Sequence, residues 1–282
     1  MTNSWTNTPH IFNLAELENK KILLYHNSEY IDFEELQKIS NWQEADKIFI
    51  VGQEAEFADF VFNDPRIYVW DSLYLADRDK FYSYFFWWHQ ANEVEYYENN
   101  IAKLSDPLTC APEKIFEFLI GTTHRAPQRN YIKDLIIKGN LENLVFNNFD
   151  KGYISGSDID ISGSMEIVYN QVQTANRSTV LPYIIYNQSW FSIVSESLGN
   201  KRFFTEKTAK AFLGKRLFVF IGAQHALQDL KMLGYKTFDS IIDERYDSIE
   251  NDYDRWLAAF EQIQFICRCN PAEIYNKALP IL

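Results

Sequence analysis

The stretch "SESLGNKRFFTEKTAKAF", Ser195–Phe212, lies between "YIIYNQSWFSIV" (Tyr183–Val194) and "RLFVFIG" (Arg216–Gly222). Both flanks are rich in aromatic and β-branched residues and read as buried strands. Between them, Thr205 stands just before a run of helix formers. A threonine there caps a helix and leaves Glu206 and Lys207 in its first turn. Strand, helix, strand in this order predicts a parallel sheet with the helix laid over it.

The same alternation continues in both directions. "KILLYH" (Lys21–His26), "KIFIVG" (Lys47–Gly52) and "RIYVWD" (Arg66–Asp71) read as strands, and "DFEELQKI" (Asp32–Ile39) as a helix with Phe33, Leu36 and Ile39 on one side. Residues 78–103 are compatible with helix, with Phe81, Phe85 and Trp88 at helical spacing. "LSDPLTCAPEK" (Leu104–Lys114) carries two prolines and turn residues and is the expected linker. The pattern then restarts. "KIFEFLIGTTH" (Lys114–His124) reads as strand and loop, and "APQRNYIKDLIIKGN" (Ala126–Asn140) as a helix with Pro127 in its first turn and Gly139 near its end. "NLVFNNF" and "YKTF" (Tyr235–Phe238) read as further strands, and "NDYDRWLAAFEQIQFICRC" as a closing helix. The expected fold is therefore α/β. It has two Rossmann-like domains, residues 1–110 and 111–282, facing each other across a cleft. Ligands in such folds sit at the carboxyl ends of strands and at helix starts.

Bulk properties narrow the function. The chain has 282 residues, 46% of them apolar and 16% aromatic, enough for a sizeable core. Its net charge of −12 disfavours nucleic acid and anionic lipid as partners, so an anionic ligand needs a local basic site. No apolar run approaches the ~18 residues of a membrane span, and the first residues lack a secretory pattern. Cys110, Cys267 and Cys269 suit neither a disulfide framework nor a zinc site. A cytoplasmic location is the expectation. The G-x-G-x-x-G and Tyr-x-x-x-Lys patterns of a Rossmann-type epimerase are absent from the sequence.

At the Thr205 helix, the free N–H groups, the partial positive charge and Lys207 together suit a diphosphate. Glu206 suits hydroxyls of a ribose or sugar instead. Glu196 precedes Glu206 by ten residues, in Ser-Glu-Ser followed by an aromatic pair and Thr-Glu-Lys. This resembles the donor motif of the α-1,3-fucosyltransferase family, Phe-Glu-Asn-Ser, a short polar stretch, an aromatic residue, then Thr-Glu-Lys. Ser197 replaces the family's Asn, and Phe203 its usual Tyr. "FLIGTTHRAPQRNYIKDL" resembles the family's strand, polar loop and Arg-Asn pair. The resemblance covers roughly residues 114–245.

It implies a two-domain inverting glycosyltransferase of the B type, with no cofactor and no required metal. Its donor would be a nucleotide-sugar, with a guanine base favoured, and its acceptor an unspecified hydroxyl. The donor residues would be Arg129, Glu196, Thr205, Glu206 and Lys207, with Arg125 or His124 able to share the role of Arg129. A carboxylate from the first domain would be the general base. Asp71, at the end of "RIYVWD", is placed for it, with Glu93 and Glu95 in competition. Asp243 or Glu244, in an acidic segment after "YKTF", would meet the sugar or base. The D-x-D patterns at Asp158–Asp160 and Asp252–Asp254 read as a surface loop and a helix cap. Trp87 or His89 could hold the acceptor. The competing class is a binding module that keeps the fold without turnover.

Overall fold

In a computed structural model, residues 20–26, 43–51, 64–71, 81–83, 101–118, 126–147, 181, 183–200 and 204–282 are described. The chain divides into two compact units, Met1–Phe85 and Phe86–Leu282. Each contains its own sheet.

The first unit holds β1 (Ile22–His26), β2 (Lys47–Val51), β3 (Ile67–Asp71) and β4 (Phe81–Ser83), paired in that order and all parallel. Three of these are the strands expected from sequence. The fourth corrects the helical reading at Phe81–Ser83, which extends the sheet beside β3; residues 78–80 and 84–100 of that stretch lie outside the described residues. Aromatic residues fit a pleated edge as readily as a helix face, and three residues are too few for periodicity to decide. Ile48 and Ile67 are buried. The helix expected over Asp32–Ile39 lies outside the described residues.

In the second unit, the described residues include a short helix α1 (Pro107–Cys110), capped by Asp106. After it come β5 (Lys114–Phe118), α2 (Pro127–Lys138), β6 (Val145–Asn147), α3 (Tyr183–Tyr186), β7 (Ser189–Ser195), α4 (Glu206–Leu213), β8 (Phe218–Ile221), α5 (Ala226–Met232), α6 (Asp252–Cys267) and α7 (Pro271–Ala278). Short 3-10 turns precede β6 and α6. No described helix is long and apolar enough to cross a membrane. The proline-bearing segment expected to be a linker is bound into this unit. The Asn187 side chain accepts from Ser105 N and donates to Lys103 O, and Trp190 Nε1 donates to Pro112 O.

The second sheet has the order β6-β5-β7-β8, all parallel. From β5 the chain steps one way to β6, and from β7 it steps the other way to β8. With right-handed crossovers, α2 and α4 cover opposite faces. Ser192 pairs with Phe218 and Val194 with Phe220. Phe212 of α4 packs edge-on against Phe218, and Phe204 lies 5.9 Å from Phe220, so this is the α4 face. On the other face Phe191 packs on Phe116, both fully buried. There α6 packs against β8 and α2. Trp256, Ala259, Phe260, Ile263 and Ile266 form its buried stripe, and Ile132 and Ile136 that of α2. Leu257 and Phe265, on the same helix as Trp256, are exposed.

The strand expected at Tyr235–Phe238 does not form. Glu244 accepts from Phe238 N (2.6 Å) and from Thr237 Oγ1 (2.7 Å), so a side chain takes an N–H that a ladder would have used. Phe238 instead packs its ring on Phe218, the first residue of β8.

Candidate functional site

The order of the second sheet reverses between β5 and β7. Crevices at the carboxyl ends of strands at such a point are where open α/β sheets bind ligands. Here β7 ends at Ser195, and the starts of α2 and α4 meet it from the two faces.

On the α2 side, Pro127 occupies the first helical turn, where a missing N–H costs nothing. The next two residues, Gln128 and Arg129, are buried. Arg129 donates from Nη2 to Ser195 O (3.1 Å), and Gln128 from Nε2 to Glu196 O (2.5 Å). Consecutive residues of one helix thus hold consecutive carbonyls at the end of β7.

On the α4 side, Thr205 is the cap, its hydroxyl accepting from Lys207 N (3.3 Å). The cap is itself held by Glu196, whose side chain points to this face. Glu196 Oε1 accepts from Thr205 N (2.9 Å) and Thr208 Oγ1 (2.6 Å), and Oε2 accepts from Thr205 Oγ1 (2.5 Å). Lys207 Nζ donates to Thr205 Oγ1 (3.1 Å) and lies 4.0 Å from Glu196 Oε2. The Glu196 side chain is 1% exposed and that of Lys207 29%. The carboxylate is the hub of the helix start, while the ammonium reaches towards solvent.

Of the sequence-expected donor residues, Glu196, Thr205 and Lys207 are therefore joined in one hydrogen-bonded cluster at the end of β7, and Arg129 reaches the same strand end from the other face through Ser195 O. Glu206 opens α4, and of it the structure describes the backbone only. The same holds for Asp71, the last residue of β3. Glu93, Glu95, His124, Arg125, Trp87, His89 and the Asp158–Asp160 pattern lie outside the described residues. Asp252 and Asp254 lie in the first turn of α6, and the cap expected of them is Asn251, whose side chain accepts from Asp254 N.

Asp243 and Glu244 do not join the cluster. Glu244 is occupied by Thr237, Phe238 N and Lys231 Nζ (3.0 Å), beside the amino end of β8. The exposed Asp243 is bound by the Arg245 guanidinium through both oxygens, which lowers its pKa to about 2. Arg245→Ala is expected to return the Asp243 carboxyl to the ordinary range, read by carboxyl chemical shift across pH 1.5–6 (about two units either side of ~3.9). The sign follows from linkage. A lowered folded pKa adds stability above the unfolded value, and that stability is lost as pH falls from 3.8 to about 2. An unmoved Asp243 midpoint in the variant would show that the ion pair does not set it.

Two residues of the cluster's support went unread in the sequence. Gln128 lies four and eight residues before Ile132 and Ile136, so a polar side chain sits at the core phase of an amphipathic helix. That phase was the available signal. Arg255 is buried on α6 and donates to Gly222 O (3.0 Å), Ile249 O (2.7 Å) and Glu250 O (3.1 Å), and to Asp252. Together with Trp256 Nε1 on Gly222 O (3.1 Å), it fixes the loop that follows β8.

No family model matches the chain, and no curated protein does. Among solved structures, the chain is similar to an α1,3-fucosyltransferase at 14% identity and TM-score 0.48, over 93% of this chain and 81% of that one. It is also similar to α1,3-fucosyltransferase crystallised with GDP (13%, TM-score 0.47, 93% and 82%) and with GDP-fucose (13%, TM-score 0.46, 93% and 82%).

Proposed function

We propose that the chain is a fucosyltransferase-like glycosyltransferase. It moves a sugar from a nucleoside-diphosphate donor, GDP-linked by preference, to an acceptor hydroxyl, with inversion and without a metal. The observation that carries this reading is the meeting of two helix starts, a buried guanidinium and a half-buried ammonium at the carboxyl end of β7, where the strand order reverses. The Ser-Glu-Ser…Thr-Glu-Lys resemblance supports it independently.

In this mechanism, negative charge grows on the departing diphosphate as the sugar bond breaks. Lys207, Arg129 and the helix N–H groups are fixed before the donor arrives, and preorganised donors stabilise developing charge most effectively. Arg129 suits paired phosphate oxygens, and Lys207 acts as a point charge. Glu206 receives ribose or sugar hydroxyls. Glu196 and Thr205 serve the donor by holding the helix start in place. A carboxylate of the N-terminal, acceptor-side domain (residues 1–110), Asp71 or Glu95, removes the acceptor proton. Residues 111–282 form the donor domain.

The test is a thermal-shift screen against nucleoside diphosphates and nucleotide-sugars, followed by assay of sugar transfer or donor hydrolysis. A ligand at about 100 times its Kd should add about 2.7 kcal/mol of stability. Guanine-linked ligands should give the largest shift. A panel without a single shift would refute the donor site, and binding without turnover would establish the non-catalytic module instead.

A further inference from the structure

We infer that Gln128 is a positioning residue that couples the starts of α2 and α4 across the sheet, and that through this link it sets the affinity for the donor. The inference rests on the donor reading above for its functional half, and on geometry alone for its structural half.

Gln128 is fully buried and has no reason of hydrophobicity to be so. Its Nε2 holds Glu196 O at 2.5 Å, while its Oε1 has no hydrogen-bond partner among the described residues. A buried amide with half its capacity unused is costly and persists where geometry requires it. The requirement is visible at Gly199. A Cβ there would stand 2.4 Å from Gln128 Oε1, 2.6 Å from its Cδ and 3.0 Å from Trp256 Cζ2. The 196–200 turn therefore closes on the Gln128 amide as far as a residue without a side chain allows. Glu196 links this turn to the other face, because its carbonyl is held by Gln128 and its carboxylate holds Thr205 and Thr208. A displacement at Gln128 is thereby passed to the helix start that carries Lys207, with no contact between Gln128 and the ligand.

The experiment is a double-mutant cycle of Gln128→Ala and Gly199→Ala, with Gly214→Ala as control. Gly214 follows the other end of α4, where a Cβ would meet the Tyr186 ring at 2.4 Å. GDP is the probe, titrated calorimetrically, and melting is measured for each variant. Gln128→Ala is expected to weaken GDP roughly tenfold, the scale of one lost hydrogen bond. Gly199→Ala should lower both melting temperature and GDP affinity. Adding Gln128→Ala to it should raise the melting temperature again, since the colliding amide is gone. Gly214→Ala should lower melting while GDP binds as in wild type. Unchanged GDP affinity in Gln128→Ala, or melting losses of the two substitutions that add in full, would overturn the inference. A wild type that binds no nucleoside diphosphate would instead sink the donor reading. The melting cycle would then decide the coupling by itself.

Discussion

Glu196→Ala should lower the melting temperature by on the order of 10 °C and abolish nucleoside-diphosphate binding. The carboxylate is almost wholly buried and receives the Thr205 N–H and the hydroxyls of Thr205 and Thr208, with Lys207 Nζ at 4.0 Å. Its removal strands three buried donors and leaves a cavity. Breaking such a buried charged network from one side costs about 3–5 kcal/mol, and a unit of this size loses roughly 2–4 °C per kcal/mol. Glu196→Gln separates shape from charge. It fills the same space, but turns an NH2 towards groups that are themselves donors, so an intermediate loss is expected. Differential scanning calorimetry of the three proteins provides the measurement. A Glu196→Ala protein melting within about 2 °C of wild type would show that the hub bears little of the stability.

The division of labour around Glu196 explains what the sequence could and could not disclose. Thr205 was legible because a cap works through its nearest neighbours, and hydrogen bonds to positions two or three residues on leave a local pattern. Pro127 and Gly139 marked the ends of α2 for the same reason. The parallel strands were legible from short apolar runs. Their order was not, since β5 lies beside both β6 and β7 through contacts far apart in the chain.

Tertiary competition accounts for the misreadings. Tyr235–Phe238 has strand propensity, yet the Glu244 carboxylate outbids a ladder for its backbone. Phe81 starts a run with helical spacing, yet β3 offers Phe81–Ser83 an edge. For Glu196 the resemblance implied a donor contact, and the structure shows its carboxylate engaged by Thr205 and Thr208. A buried carboxylate satisfied by threonines nine and twelve residues later looks, in one dimension, like any solvated glutamate. Gln128 shows the converse: its helical phase is a signal of burial that went unread, and only the approach of Gly199 gives that burial a meaning.

Lys207→Ala should weaken a bare nucleoside diphosphate by roughly 10- to 150-fold, the loss of a charge-assisted contact of about 1.5–3 kcal/mol. Its effect on melting should be small, about 1 kcal/mol or less, because the partly exposed ammonium is shared with solvent. Arg129→Lys keeps the charge but loses the planar fork, so it should weaken the same ligand and also loosen the grip on Ser195 O. If both groups face one anion, the double variant should lose less or more than the sum of the two, since sites sharing a partner are coupled. Raising the salt concentration should narrow the gap between wild type and Lys207→Ala, as screening weakens the half-exposed charge. Glu206→Ala supplies the contrast. With bare diphosphate it should bind as wild type if Glu206 meets only the transferred sugar, and more weakly if it meets ribose; with the full donor it should bind or turn over more weakly in either case. The neighbouring acid and base at the start of α4 then separate into two functions, one for the hydroxyls and one for the phosphates. Calorimetric titration of both ligands into the four variants and wild type, at two salt concentrations, decides the matter. Affinities and turnover left unchanged by Lys207→Ala and Glu206→Ala would reduce the pair to an ordinary helix start and remove the donor site from this crevice.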